Sequence, residues 1–191
     1  YKLFVMSNLK LNLGCGENKY DGFLNVDKFG EPDIKCDLEK FPWPWEDNSV
    51  DEIRIIHVLE HLGKDTETYL NIFKEIYRIS VDKALLYIVV PHFRHDFFFN
   101  DPTHIRAVTP ESLQLFSKTF NKECRKKQLS NSPLGLFLNI DIELVSTNLK
   151  PGEAWFKMYP DNVVNLELLL EKSKLYNNLI EEYHMKLKIK K

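Results

Sequence analysis

Two groups of chemistry-bearing residues stand out in this sequence. Gly14, Cys15 and Gly16 lie between a short apolar run, Lys10 to Leu13, and a second, Phe23 to Asp27, that ends on a carboxylate. Five of the six histidines fall in two later stretches, His57 to His61 and His92 to His104. Glycines lack a Cβ, so the backbone can turn tightly and let a ligand lie directly against it. A carboxylate at the end of the next strand, Asp27, is placed to accept hydrogen bonds from a pair of ribose hydroxyls. Histidine exchanges a proton near neutral pH, which makes His61, His92, His95 and His104 the candidate catalytic bases.

A dinucleotide site would require G-x-G-x-x-G, with an acid roughly 20 residues further on. Lys19 stands at the third glycine position, and Asp27 arrives too early. The loop suits a nucleoside without phosphates better than a pyrophosphate, which needs a helix N-terminus aimed at it. His57-Val58-Leu59-Glu60-His61 also matches the H-x-x-E-H pattern of zinc peptidases. That chemistry needs both histidines on one helix face, whereas here the segment follows an apolar strand and meets Gly63.

Leu11-Asn12-Leu13-Gly14-Cys15-Gly16 resembles the first motif of the class I S-adenosylmethionine-dependent methyltransferases. The likeness continues through Asp27, through Cys36-Asp37-Leu38, and through Phe41-Pro42-Trp43 to Ile53, and it ends in His57-Val58-Leu59-Glu60-His61-Leu62. It implies an α/β, Rossmann-like, doubly wound sheet, mainly parallel, with an antiparallel edge hairpin near the C-terminus. S-adenosylmethionine is the implied cofactor. Gly14, Cys15 and Gly16 match the methionine end, Asp27 the ribose, and Asp37 with Leu38 the adenine. Asn12 and His57 join this cofactor-binding set. Asn12 stands where the family usually has an acid. A narrower likeness to quinone-pathway O-methyltransferases that bind a divalent ion covers Glu60 and His61, but His57 replaces an expected glutamate. This reading assigns no metal ligand.

The implied activity is methyl transfer to oxygen or nitrogen of a small-molecule, glycan or lipid-precursor acceptor. Arg94, Arg106 and Lys28 are candidates to hold an anionic one. The rivals are a cofactor-binding partner protein without turnover and a metal-dependent hydrolase using H-x-x-E-H.

At 191 residues the chain reads as one domain able to bury a real core. Its 26 basic and 28 acidic residues leave no electrostatic footprint for nucleic acid, so no nucleic-acid partner is expected. Three separated cysteines without C-x-x-C pairing suit a reducing compartment. No apolar run approaches the roughly 20 residues of a membrane span, and Leu3 to Met6 is too short for a signal-peptide core. The expected location is cytoplasmic.

The elements that position these residues follow from periodicity. Strands are expected over Lys10–Leu13, Phe23–Asp27, Pro32–Asp37, Glu52–Val58 and Ala84–Val90. Gly14 to Gly22 is shorter than the roughly 10 to 12 residues of a crossover, so the first helix must be a stub or missing. Phe41-Pro42-Trp43-Pro44-Trp45 is a proline-broken loop that either covers an adenine ring or packs on the core edge. Asp65 caps a helix with Tyr69, Ile72, Phe73 and Ile76 facing the core. Thr109-Pro110 starts another, with Leu113, Phe116 and Phe120 on one face. Phe137–Val145 and Glu153–Met158 read as the edge hairpin, around Pro151-Gly152. A final amphipathic helix is expected at about 163–185, with Lys186 to Lys191 as a solvated tail.

Overall fold

A computed structural model describes residues 8–160 and 164–191. The Leu3 to Met6 run and the expected start of the last helix at residue 163 lie outside them. Seven strands form one sheet: β1 (Lys10–Leu13), β2 (Leu24–Asp27), β3 (Ile34–Lys35), β4 (Val50–Ile56), β5 (Ser80–Pro91), β6 (Ile142–Pro151) and β7 (Ile180–Ile189). Their order is β3-β2-β1-β4-β5-β7-β6. The first five pair in parallel, and β7 runs antiparallel to both β5 and β6. The architecture is the Rossmann-like one, with its antiparallel pair at the C-terminal edge.

Registration carries the core across the sheet. Leu11, Ile53, Leu86 and Leu187 form one cross-strand row, and Leu13, Ile55, Ile88 and Met185 the next; all eight are buried. Side chains alternate faces along a strand, so the intervening row is Asn12, Arg54, Tyr87 and Lys186. On the apolar side lies α1 (Thr66–Ile79), with Tyr69, Ile72, Phe73 and Ile76 buried as expected and the Asp65 carboxylate accepting from Thr68 N–H.

The β1–β2 connection contains turns and no helix. Polar bonds close it instead. Asn12 Nδ2 donates to Asn18 O and Asn25 Oδ1, and Asn25 donates through its backbone and side chain to Asp33 Oδ2. Those two bonds hold the Asp33 carboxyl below its ordinary range. Tyr20 and Phe23, from the same connection, lie against the Arg54 guanidinium at 5.1 and 4.4 Å from the ring centroids.

Beyond β5 the chain departs from the periodic reading. The helix expected from Thr109 breaks into α3 (Pro110–Gln114) and α4 (Lys118–Lys126), because Ser117 caps a fresh start by accepting from Phe120 N–H. The short helices α2 (Asp96–Asn100) and α5 (Leu134–Phe137) flank them, and β6 begins only at Ile142. Glu153–Met158 is helix α6 rather than a strand, with a Glu153–Lys157 pair at 2.7 Å across one turn. The final helix, α7, covers only Leu166–Ser173. The segment expected as the end of that helix and a solvated tail is strand β7, in which Tyr183, Met185, Leu187 and Ile189 alternate inward. The edge hairpin is therefore β6 with β7, not residues 137–145 with 153–158.

Candidate functional site

Strand order reverses between β1 and β4, and in an open α/β sheet that switch point marks the binding crevice at the carboxyl ends. A cavity of about 390 Å³ lies there, its walls including Gly14, Asp27, Leu38, His57, His61 and Thr103. That volume is in the range of small-molecule sites, roughly 300 to 1,000 Å³.

Gly14 turns the chain out of β1 with φ of 70°, and its N–H donates to Val26 O at 2.7 Å. A Cβ built there would stand 2.4 and 2.6 Å from the two Val58 methyl carbons. The cradle thus depends on glycine at this position. Gly16, with φ of 49°, has open space at its Cβ position and donates its N–H to Asp27 Oδ2 at 2.9 Å. Asp27 Oδ1 accepts from Phe29 N–H, so both carboxylate oxygens are oriented by backbone and keep further lone pairs. Cys15 is buried; burial, with Asp27 nearby, pushes its thiol up. Burial, followed by Asp37, does the same for Cys36, which lies on the cavity wall.

Asp37 and Leu38 also line the cavity. Leu38 is held from behind, since its carbonyl accepts from Trp43 Nε1 and Trp43 N–H donates to Glu75 Oε2. Trp43 and Trp45 are core residues packed edge to face, with ring centroids 6.2 Å apart. The proline-broken loop therefore packs on the core and supports the wall rather than forming it.

Asn12 does not reach the cavity. It is 2% exposed, and its Nδ2 is committed to the β1–β2 connection. The likeness put it in the cofactor-binding set; in this chain its side-chain amide ties β1 to the β1–β2 connection.

The histidines separate. His61 lines the cavity, and His104 stands edge-on behind it, ring centroids 4.5 Å apart. His92 and His95 do not line it. The buried His92 ring packs on Phe93 and Tyr183, and its Nδ1 accepts from Arg94 N–H. Burial first, then Arg94, lowers its pKa to about 4. His95 caps α2, accepting from Phe97 N–H. Both are hydrogen-bonding parts of the β5–α2 loop.

His57 follows β4 in the left-handed region, φ 54°, which denies it the helix that a peptidase H-x-x-E-H site requires. Its Nδ1 lies 3.5 Å from Glu60 Oε1 and its Nε2 3.3 Å from Glu182 Oε1. Glu60 first, opposed by burial and assisted by Glu182, holds the His57 pKa above its ordinary value. Glu60 and His61 belong to a single 3₁₀ turn, Leu59–His61.

Of the candidate anion-holding residues, only Lys28 lines the cavity, its Nζ 5.0 Å from the Phe29 ring centroid. Arg106 stacks 4.2 Å from the Tyr69 ring and donates to Gly63 O, and Arg94 donates to Lys174 O. Thr103, which sequence reasoning missed, is brought to the cavity by the loop following α2. No signal short of the tertiary fold marks it.

No protein-family model and no curated protein sequence matches this chain. Its fold is similar to that of solved methyltransferases. A SAM-dependent methyltransferase from Archaeoglobus fulgidus superposes with a TM-score of 0.60 at 19% identity, covering 97% of this chain and 87% of that one. One from Methanosarcina mazei gives 0.53 at 12% identity, covering 96% and 92%. The 1,6-didemethyltoxoflavin-N1-methyltransferase of Burkholderia thailandensis, solved with S-adenosylhomocysteine, gives 0.52 at 10% identity, covering 96% and 71%. The chain thus has the fold of the class I S-adenosylmethionine-dependent methyltransferases. Among the described residues no helix is long and apolar enough to cross a membrane.

Proposed function

We propose that this protein binds S-adenosylmethionine in the cavity and transfers its methyl group to oxygen or nitrogen of a small-molecule, glycan or lipid-precursor acceptor. The observation that carries the reading is the Asp27 carboxylate, oriented by Gly16 and Phe29 N–H groups on the wall of a cavity that Leu38 also lines. Its remaining lone pairs suit a ribose diol, and Leu38 offers an adenine ring an apolar surface. Gly14 gives the backbone close approach that the methionine end needs. The amino group must find partners other than Asn12.

When bound, the cofactor supplies a methyl group already activated on a sulfonium. The protein's part is then positioning, which can be worth an effective molarity of about 10⁵ M or more. His61 faces the cavity and can hold the acceptor and take its proton. Lys28 supplies a cation for an acidic or sugar-linked acceptor.

Calorimetric titration with S-adenosylmethionine and its demethylated product tests the cofactor. Asp27→Ala should weaken binding by about 1.5 to 3 kcal/mol, the range for hydrogen bonds to a charged group. Unchanged affinity would remove Asp27 from the site, and no binding of either ligand to the parent protein would end the reading.

A further inference from the structure

Behind the His61 wall lies a carboxylate that the methyl-transfer reading does not use. Glu60 is 1% exposed, and neither of its oxygens accepts a hydrogen bond among the described residues. Removing a carboxylate from water without such compensation costs several kcal/mol, so buried charges are normally paired or coordinated.

The adjoining imidazoles are prepared in a specific way. Thr103 Oγ1 gives its proton to Asp101 Oδ1 at 2.6 Å, so toward His61 Nδ1, at 2.8 Å, it can only accept. His104 Nδ1 lies 2.9 Å from the Phe98 carbonyl, which has no proton to give. Each neutral ring therefore donates through Nδ1 and keeps the Nε2 lone pair. Metal-ligating histidines are commonly fixed this way, one nitrogen donating to a carbonyl or other acceptor. A ligand atom from each of Glu60, His61 and His104 lies within 4.8 Å of the others.

We propose that Glu60, His61 and His104 bind one divalent first-row transition ion, zinc being the simplest occupant. Two imidazoles and one carboxylate favour such an ion over magnesium or calcium, and three protein ligands leave a coordination position open. Bonds of about 2.0 to 2.2 Å draw the donors inward. The third ligand comes from the loop following α2, remote in sequence from the 3₁₀ turn, so the donor set differs from the hard-cation pattern that Glu60 and His61 alone suggest. His57, 3.5 Å from the same Glu60 oxygen, is the competing partner. The three donors lie at and behind the His61 wall of the cavity, so the ion site does not depend on the proposed methyl transfer; an ion held there would take up the His61 lone pair that a proton-accepting role needs.

The test is titration of metal-stripped full-length chain with Co²⁺ and Zn²⁺, without cofactor, read by calorimetry and by visible d–d absorption. One ion per chain is expected, with visible bands from a nitrogen- and oxygen-ligated Co²⁺. Glu60→Gln and His104→Asn should each weaken binding by about tenfold or more, a loss seen even for outer partners of metal sites. His184→Ala, at an exposed histidine paired with Glu182, should leave affinity unchanged. Circular dichroism confirms that each variant is folded. Absence of the bands, or equal affinity in folded His104→Asn, would overturn the site. Loss of cofactor binding alone would instead strike the methyltransferase reading and leave the metal site standing.

Discussion

Replacing Gly14 with alanine separates two costs that a glycine in a turn can hide. Gly14 and Gly16 both have positive φ, 70° and 49°, so an alanine at either position meets backbone strain of about 1 kcal/mol. Only at Gly14 does the new methyl also meet side-chain atoms, 2.4 and 2.6 Å away on Val58, while at Gly16 nothing lies within 4 Å. Val58 is β-branched and stiff at χ1, so it cannot swing clear. Overpacking of this kind costs about 1 to 3 kcal/mol. Gly14→Ala should therefore destabilise by about 2 to 4 kcal/mol, and Gly16→Ala by about 1 kcal/mol. Val58→Ala added to Gly14→Ala should recover about 1 to 2 kcal/mol of the excess, measured as the coupling in a double-mutant cycle. Urea denaturation without ligand gives the stabilities of the parent, the three single variants and the double variant from midpoints and slopes. Gly14→Ala and Gly16→Ala agreeing within about 0.5 kcal/mol, with a coupling inside the same error, would refute the claim that Val58 closes this turn.

Three further outcomes follow from particular contacts. Asn12→Asp introduces the acid that the family usually carries, but here it would face two acceptors, Asn18 O and Asn25 Oδ1; a loss of about 2 kcal/mol in chemical denaturation is expected, with no gain in cofactor affinity. Glu75→Ala removes the carboxylate that Trp43 N–H and the Arg78 guanidinium share, leaving Arg78 its pair with Asp47; it should cost about 2 kcal/mol and alter tryptophan emission, and an unchanged melting curve would show the loop is held otherwise. His92, buried beside Arg94, His95 and Glu111, has its folded pKa near 4, below the ordinary 6.5. A depressed base binds fewer protons folded than unfolded, so stability should be intact above pH 6.5 and fall as pH drops toward 4, by about 2 kcal/mol after allowance for solvent screening. Denaturation midpoints across that window should show a flatter slope in His92→Phe.

Gly14, Asp27, Asp37, Leu38, His57 and His61, which line the cavity, stood out in the sequence because each lies in a local pattern: a turn at a glycine, or the polar end of an apolar run. So did β1, β2, β4, β5 and α1, since unbroken or alternating apolar runs and a capped 3.6-residue stripe each bury in only one sensible way, whereas the strand expected over Pro32–Asp37 is only the exposed pair Ile34–Lys35. That the first helix is at most a stub was legible too, from the short Gly14 to Gly22 spacing, and the structure shows turns there with no helix. The C-terminal third was not. Leu179, Ile180 and Tyr183 can be counted into a helical stripe with Leu166 and Leu169, and only pairing with β5 and β6 selects the alternation of Tyr183, Met185, Leu187 and Ile189 against His184, Lys186 and Lys188. The fate of the histidines also lay beyond the sequence. His92, His95 and His104 sit in one polar loop with the same side chain, yet long-range packing buries His92 against Tyr183, uses His95 as a cap, and carries His104 back to His61. The sequence determined which residues can bind and react, because that is covalent chemistry and local backbone geometry. Tertiary structure decided which of them meet, because burial and partnership depend on segments far apart along the chain.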